Sequence, residues 1–291
     1  MTTEVRLSSQ LDVGGARAVR YQTQGGAIAA LQAGQPGAVP VLLVPGYTGS
    51  KEDFAPLLDP LAAAGFLVTA IDLPGQFESH GPDDPVAYTP DLLGLTVRAV
   101  AALVGDRVHL VGHSFGGLVC RAAAIAEPSA FASLVLMDSG PAALSGERSE
   151  QIELLRPALD ELDLGVLHHI ISGSETNAPG YVSPTAELYA FYRKRFVAGS
   201  KAMLAGMGQA LLSEPDRVAE LAAVDLPMLV LYGAGDDAWS PATQHDMAQR
   251  LGVEHVVIAH AIHSPAVENA GATLDALITF WRAHSAPPSG S

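Results

Sequence analysis

The stretch "RVHLVGHSFGGLVC", residues 107–120, changes character at its centre. Up to Val111 it is mainly apolar and predicts a buried strand, whereas from Phe115 onward the pattern predicts a helix. Between them lies "GHSFG", residues 112–116, a G-x-S-x-G sequence at the predicted turn. Glycines there let the strand and helix backbones approach closely, so that the Ser114 hydroxyl stands out above the sheet edge. The sequence therefore predicts that Ser114 is presented as a nucleophile.

Short apolar runs alternate with longer helical patterns on both sides of this turn, from Val41 onward. This alternation is typical of strands and helices around a mostly parallel sheet. Two short runs around Gly25-Gly26 predict an antiparallel hairpin at one sheet edge. The sequence thus predicts an α/β fold with a mostly parallel central sheet flanked by helices. Its parallel strands are expected at 39–46, 66–75, 107–113, 133–140, 226–237 and 253–260.

The alternation stops between residue 141 and about residue 222. Helical patterns at 147–163 and 185–213 occur there without a convincing strand. We predict a helical cap, or lid, inserted after the sixth strand. The expected organisation is a core of 1–140 and 223–286, a cap of 141–222, and a disordered tail of 287–291.

The composition limits the classes of function. The chain has 291 residues, 48% of them hydrophobic, which is enough for one large domain with a substantial core. Its formal net charge of −15 argues against a nucleic acid or an anionic membrane as partner. The start of the sequence does not show the basic residues followed by an apolar run that are typical of a signal peptide. The sequence also has no apolar segment of about 20 residues, the length needed to span a bilayer. We therefore expect a cytoplasmic protein. The single cysteine, Cys120, excludes an intrachain disulfide and is predicted to lie in the core.

A serine is unreactive at neutral pH without a histidine base and a carboxylate that orients it. His263 follows the last predicted strand and immediately precedes "SPAVEN", the start of the final helix. This position puts its side chain at the same sheet edge as Ser114. His260, three residues earlier, is the competing candidate. We assign His113, beside the serine, to packing or to support of the turn.

Four segments together resemble the α/β-hydrolase fold superfamily: "GHSFGG", "VLLVPGYTGS", "IDLPGQFES" and "AHAIHSPAVEN". The resemblance extends from about residue 20 to residue 284. It implies the chain order serine, acid, histidine. Where this family more often shows a histidine-glycine pair, Gln76-Phe77 stands here, and we assign no catalytic role to Glu78 or His80 in that segment.

The resemblance places the orienting acid between the serine and the histidine. Counting three residues from Gly233, at the end of its strand, gives Asp236, whereas counting back four residues from Pro241 gives Asp237. The distance from the strand end fixes where a side chain emerges, so we favour Asp236. Asp237 and Asp138, which ends an earlier strand, remain the alternatives.

Attack on a carbonyl builds negative charge on its oxygen, which backbone N–H groups can stabilise. The resemblance implies two such donors, the amide of Phe115 and an amide from "PGYTGS", for which we favour Tyr47. No metal and no organic cofactor is implied. A mostly apolar cap predicts an uncharged or hydrophobic small-molecule substrate.

These residues predict a serine hydrolase that cleaves a carboxylic ester or related acyl bond through an acyl-enzyme. Carbon–carbon bond hydrolysis, lactone hydrolysis and cofactor-free perhydrolysis are alternatives on the same triad, and a noncatalytic small-molecule receptor is an alternative from another class. Epoxide hydrolases and haloalkane dehalogenases are disfavoured because they use an aspartate where Ser114 stands. A dinucleotide-binding domain is disfavoured because "GHSFGG" does not match G-x-G-x-x-G. The oligomeric state and the physiological substrate stay open.

Overall fold

The computed structural model describes residues 10–175 and 183–284, so the predicted tail at 287–291 lies outside the described residues. Within those ranges eight strands form one sheet in the order β1-β2-β4-β3-β5-β6-β7-β8. The β1–β2 and β2–β4 pairings are antiparallel, and every other pairing is parallel. The predicted hairpin and fold class are confirmed. The strands are β1 (Arg17–Thr23), β2 (Gly26–Ala33), β3 (Val39–Val44), β4 (Phe66–Ile71), β5 (Val108–His113), β6 (Phe131–Met137), β7 (Met228–Gly233) and β8 (Glu254–Ile258).

Helices follow most of the parallel strands, and a group of them separates β6 from β7. In chain order the helices are α1 (Ala55–Ala63), α2 (Pro90–Val104), α3 (Phe115–Ala126), α4 (Glu147–Glu161), α5 (Leu164–Glu175), α6 (Ala186–Ala198), α7 (Lys201–Ser213), α8 (Val218–Ala222), α9 (Pro241–Leu251), α10 (Pro265–Glu268) and α11 (Ala270–His284). Helices α4 to α8 lie between β6 and β7, and we refer to residues 141–222 as the helical segment.

The core lies on both faces of the sheet. Alternate residues of β3 show this directly, because Leu42 and Val44 belong to one buried cluster while Val41 and Leu43 belong to the other. The first cluster includes side chains of α2, α3 and the helical segment, and the second includes those of α1 and α11. A strand buried on both faces reads as a continuous apolar run, which is why the parallel strands were predictable. Cys120 is fully buried in the first cluster, as predicted.

Arg121 on α3 ties the core to both ends of the helical segment. Its guanidinium is buried and donates from Nη1 to the Pro141 carbonyl at 2.6 Å and from Nη2 to Glu214 Oε1 at 2.7 Å. Pro141 lies at the start of the segment and Glu214 lies near its end. A buried ion pair is costly to break, because the partner left behind is a charge without compensation. The contact therefore fixes how the helical segment leaves and rejoins the sheet.

None of the helices in the described ranges has the length and apolar character that crossing a membrane requires.

Candidate active site

The turn between β5 and α3 holds Ser114 in a rare backbone conformation, with φ at 53° and ψ at −122°. Its glycines have no room for a side chain: a Cβ on Gly112 would lie 2.4 Å from the Gly116 carbonyl oxygen, and one on Gly116 would lie 2.4 Å from the Val44 carbonyl oxygen. A strained residue persists only where the surrounding packing imposes it. The close approach of strand and helix therefore forces Ser114 out at the carboxyl edge of the sheet, as the sequence predicted.

Three loops bring the side chains of Ser114, His263 and Asp236 together at this edge, where they form a continuous series of hydrogen bonds. His263 Nε2 lies 3.0 Å from Ser114 Oγ, and His263 Nδ1 lies 2.9 Å from Asp236 Oδ1. An ionised carboxylate can only accept, so Nδ1 carries the proton and Nε2 is left to accept from the serine hydroxyl. The His263 side chain is 16% exposed, whereas that of Asp236 is fully buried. This arrangement can remove a proton from Ser114.

Asp236 is held by more than His263. Its Oδ1 also accepts from the Ala238 amide at 2.8 Å, and its Oδ2 accepts from Gln244 Nε2 at 2.6 Å. Burial alone would raise the pKa of Asp236, but the hydrogen bond and charge of His263 and the Ala238 amide lower it below its ordinary value. Asp236 therefore stays ionised and faces His263 in one orientation.

The other candidates from the sequence have different surroundings. Asp237, whose side chain is 54% exposed, accepts from Arg148 Nη2 at 2.9 and 3.1 Å. Asp138 is fully buried beside Asp236 and accepts from the Gly233 amide at 2.9 Å. His260 is exposed and lies at the end of β8. The structure thus brings His263, rather than His260, and Asp236, rather than Asp237, next to Ser114 in one hydrogen-bonded series.

The loop that carries His263 is fixed from two sides. His113 Nε2 lies 2.6 Å from the His263 carbonyl oxygen, and Glu268 Oε2 accepts from the amides of Ile262 and Ser264 at 2.8 and 2.9 Å. Burial, reinforced by the charge of His263, lowers the pKa of His113 to about 4. His113 is therefore neutral and donates through Nε2–H. Its contact therefore supports the loop that carries His263.

The loop after β3, which contains the Tyr47 amide, packs against the serine. A Cβ on Gly46 would lie 2.9 Å from Ser114 Cβ, so the two backbones are in close approach. Gln76 Nε2 donates to the Gly46 carbonyl at 2.7 Å. The Gly46 carbonyl and the Tyr47 N–H belong to one planar trans peptide group and therefore point in opposite directions. Because the carbonyl points toward Gln76, the Tyr47 N–H points away from Gln76. Within the described ranges, neither this amide nor that of Phe115 donates to an acceptor.

The sequence profile of the alpha/beta hydrolase family matches residues 41–276 of this chain. The chain belongs to the alpha/beta hydrolase family. The match spans the sheet from β3 to β8 together with most of α11, and it includes every residue of the succession Ser114, His263, Asp236. The family named from the sequence motifs is therefore confirmed.

Relatives of this hydrolase include a 2-hydroxy-6-oxononadienedioate/2-hydroxy-6-oxononatrienedioate hydrolase of Dechloromonas aromatica, 29% identical over 208 residues that cover 66% of this chain and 67% of the relative. Several other curated relatives match over only 30–43% of their own length.

Solved structures share the fold of this hydrolase. A thermophilic esterase from Thermogutta terrifontis has a TM-score of 0.75 at 24% identity, covering 93% of this chain and 100% of the esterase. The enol-lactonase from Burkholderia xenovorans LB400 also has a TM-score of 0.75, at 21% identity, covering 91% and 100%.

Sequence reasoning missed three supporting residues of this hydrolase: Gln76, Gln244 and Glu268. No motif contains Gln244. Glu268 lies in the segment "AHAIHSPAVEN", but nothing in that segment singled it out. Gln76 did carry a signal, because it occupies the position where the segment departs from the usual family pattern. Its Oε1 also accepts from the Leu73 amide at 2.9 Å, so the buried side chain has a single orientation.

Backbone strain in the hydrolase gathers at the carboxyl edge of its sheet. Within the described ranges, five residues other than glycine have a positive φ, and each follows the end of a strand. They are Thr48 after β3, Phe77 after β4, Ser114 after β5, Asp138 after β6 and His260 after β8. Such strain tends to concentrate at functional sites, where the surroundings impose it. The same edge carries the proposed nucleophile, base and acid.

A small apolar cavity of about 20 Å³ lies between this edge and the helical segment of the hydrolase. Its lining residues are Tyr47, Thr48, Leu155, Leu159, Leu167, Ile171, Phe196 and Leu204. No lining side chain carries a charge. The Tyr47 hydroxyl donates to the Leu204 carbonyl at 3.0 Å, and burial raises the pKa of Tyr47. The cavity thus presents a hydrocarbon surface next to the loop that supplies the Tyr47 amide.

Among the described residues, one group of three could offer ligand atoms to a metal ion: Asp138, Asp236 and His263, whose atoms lie within 4.8 Å of one another. Both Asp236 oxygens already accept N–H groups, and one of those comes from His263 Nδ1. The donor set therefore fits a proton relay better than a cation.

Proposed function

We propose that this hydrolase cleaves a neutral carboxylic ester, or a related acyl bond, through an acyl-enzyme formed on Ser114. The observation that carries the proposal is the continuous hydrogen-bond succession from Ser114 Oγ to His263 and on to Asp236, at 3.0 and 2.9 Å. These residues come from three loops that are remote in the chain. Hydrogen-bonded nucleophile, base and orienting acid are the recurring geometry of acyl transfer.

In the proposed reaction, Ser114 Oγ attacks the carbonyl carbon while His263 Nε2 takes its proton. The imidazolium is stabilised by Asp236, and the oxyanion accepts from the amides of Tyr47 and Phe115. Each preset donor of this kind contributes about 3–4 kcal/mol to lowering the barrier. Collapse of the intermediate expels the alcohol, which receives the proton from Nε2. Water then attacks the acyl-enzyme by the same route and releases the acid and the free serine.

We propose that the helical segment, residues 141–222, acts as a cap that selects the substrate. Three observations support a neutral, apolar substrate. The cavity under the segment has an uncharged lining. Arg195, which precedes the cavity residue Phe196 on α6, is paired with Asp53. Lys51, in the loop after β3, is buried and paired with three carboxylates, those of Glu52, Asp72 and Glu78. Since Arg195 and Lys51 are already paired with carboxylates, they would not neutralise the negative charge of an anionic substrate bound there.

Carbon–carbon bond hydrolysis is the second candidate, favoured by relatives whose names state that they act on 2-hydroxy-6-oxo dienedioates. The same serine, histidine and aspartate could serve that reaction. A dienedioate carries two carboxylates, and the basic residues described above are already paired. We therefore place a neutral ester ahead of a dienedioate as substrate.

A matched pair of esters tests this proposal. 4-Nitrophenyl butyrate and the 4-nitrophenyl monoester of succinate have similar acyl chains, but the second ends in a carboxylate. We expect kcat/KM to be at least about 100-fold higher for the butyrate, since burying an unpaired charge costs several kcal/mol. Faster cleavage of the succinate ester, or faster cleavage of a 2-hydroxy-6-oxo dienedioate than of either ester, would contradict it. Saturable ligand binding without turnover of any ester would instead support a receptor.

Replacing Gln76 with leucine should lower kcat about 100-fold with little change in KM. The leucine removes the hydrogen bond that aims the Gly46–Tyr47 peptide, and small misplacements of a catalytic donor are costly. Steady-state kinetics with 4-nitrophenyl butyrate measures the effect. The exposed Gln249→Leu on α9 is the matched control and should behave like the wild type. Equal kcat in the two variants would remove Gln76 from the account.

A further inference from the structure

The carboxyl group of Asp236, the proposed orienting acid, lies next to a second carboxyl group, that of Asp138. Asp138 follows β6 and Asp236 follows β7, and these two strands are parallel neighbours. Asp138 is fully buried, with a positive φ of 44°. Its carboxylate, that of Asp236 and the imidazole of His263 offer atoms that all lie within 4.8 Å of one another. Two buried carboxylates this close repel each other when both are ionised, which favours a proton on one of them.

The distribution of hydrogen-bond donors favours Asp138 as the aspartate that would carry such a proton. Asp236 accepts three N–H groups, from Ala238, Gln244 and His263. Asp138 Oδ1 accepts one, from the Gly233 amide. Its Oδ2 is buried, and no N–H or O–H group within the described residues donates to it. An ionised carboxylate is stabilised by donors, whereas a bare oxygen beside another carboxylate is stabilised by protonation.

We propose that Asp138 is a neutral carboxylic acid whose Oδ2–H is directed at Asp236, so that the acid of the relay is a pair of aspartates with one proton. Asp138 is then a positioning residue: it braces Asp236 and leaves a single negative charge facing His263. This inference rests on the proposed function only for its kinetic consequences, because the protonation of Asp138 is a property of the resting protein.

The charges around Asp138 favour its neutral form. Burial and the neighbouring charge of Asp236 raise the pKa of Asp138 well above its ordinary value, and Glu268 adds to the rise. The hydrogen bond from Asp138 helps to keep the pKa of Asp236 low. His263 faces the same pair, and His113 lies behind His263 with a ring-centroid separation of 5.2 Å. These are the titratable groups that any pH profile of the pair must include.

Asp138→Asn is the isosteric test, since an asparagine can accept from Gly233 through its oxygen and donate to Asp236 through its nitrogen. We expect kcat/KM for 4-nitrophenyl butyrate to stay within about threefold of the wild type. The midpoint of the acid limb of the pH profile should move by less than about 0.3 unit, because no charge is removed. If Asp138 were ionised, the asparagine would delete a negative charge near His263 and shift that midpoint down by about one unit or more. Such a shift would overturn the proposal.

Asp138→Ala removes the proposed hydrogen bond to Asp236 and provides no other donor in its place. We expect it to lower kcat about tenfold while KM changes little, the effect of one lost hydrogen bond to a charged group. Restoration of kcat in Asp138→Asn but not in Asp138→Ala supports the positioning role. Equal kcat in all three proteins would show that Asp138 does not act on the relay.

Infrared spectroscopy tests the protonation without any substrate. The difference spectrum of wild type minus Asp138→Asn at pH 7 should contain the C=O stretch of a protonated carboxylic acid. If the difference shows the symmetric and antisymmetric bands of a carboxylate instead, Asp138 is ionised and the inference fails. Because this readout needs no turnover, its outcome stands apart from whether the chain hydrolyses esters.

Discussion

Changing Ser114 to alanine is expected to reduce kcat for ester hydrolysis by about 10⁵-fold or more, the scale seen when the nucleophile of a serine triad is removed. The reason is chemical, since alanine has no oxygen to form the acyl-enzyme and His263 has no proton to accept. Residual hydrolysis would come only from water attacking an ester held near the amides of Tyr47 and Phe115. Initial rates with 4-nitrophenyl butyrate at high enzyme concentration measure the difference.

Ser213→Ala, at the exposed end of α7, is the matched control and should keep wild-type kinetics. Circular dichroism of both variants should match that of the wild type, because within the described residues the Ser114 hydroxyl has one hydrogen bond, to His263. If Ser114→Ala kept more than a tenth of the wild-type kcat, the nucleophile would be another group and the proposed reaction would be wrong.

Asp236→Asn is expected to lower kcat by about 10⁴-fold, with a small change in KM. The asparagine can present an NH₂ group to His263 Nδ1, which favours the tautomer with its proton on Nε2. That tautomer cannot accept the proton of Ser114. The imidazolium formed in the transition state would also lose its stabilising charge.

The adjacent Asp237→Asn is an internal control for this prediction. Asp237 lies at the rim and pairs with Arg148, and exposed pairs of this kind contribute little. Its kcat should stay within about twofold of the wild type. The reverse pattern, an active Asp236→Asn and an inactive Asp237→Asn, would identify Asp237 as the orienting acid and contradict the proposed arrangement.

The sequence was informative wherever function depends on position along a strand. The positions of Ser114 and His263 could be predicted because Ser114 directly follows β5 and His263 lies in the loop after β8, and parallel strands end at the same edge of the sheet. Asp236 was separated from Asp237 by its distance from Gly233. The structure gives that distance a physical meaning, since the side chain of Asp236 turns inward toward His263 while Asp237 turns outward toward Arg148.

The contacts of Gln76 and Asp138 could not be predicted, because they join residues that are far apart in the chain. Gln76 contacts Gly46, 30 positions earlier. Asp138 meets Asp236 only because β6 and β7 are neighbours in the sheet. In the sequence Asp138 appeared as a rival of Asp236 for one role, whereas the structure places the two together.

Helix boundaries were also less predictable than helix existence. The continuous helical pattern at 185–213 is two helices, α6 and α7, because the Ser200 side chain accepts from the Met203 amide and begins a new helix after Gly199. The final helix is likewise divided at Asn269, whose Oδ1 accepts from the Ala272 amide. Local side-chain capping competes with the periodic pattern at such sites.

The most direct test of the central claim is reaction of the purified protein with a fluorophosphonate, followed by peptide mapping of the adduct. An ordinary serine hydroxyl does not react at an appreciable rate, so labelling reports an activated nucleophile. We predict a stoichiometric adduct on Ser114, abolished in Ser114→Ala and strongly slowed in His263→Ala. An unlabelled protein, or an adduct on a different residue, would contradict the claim that Ser114, His263 and Asp236 work as one catalytic unit.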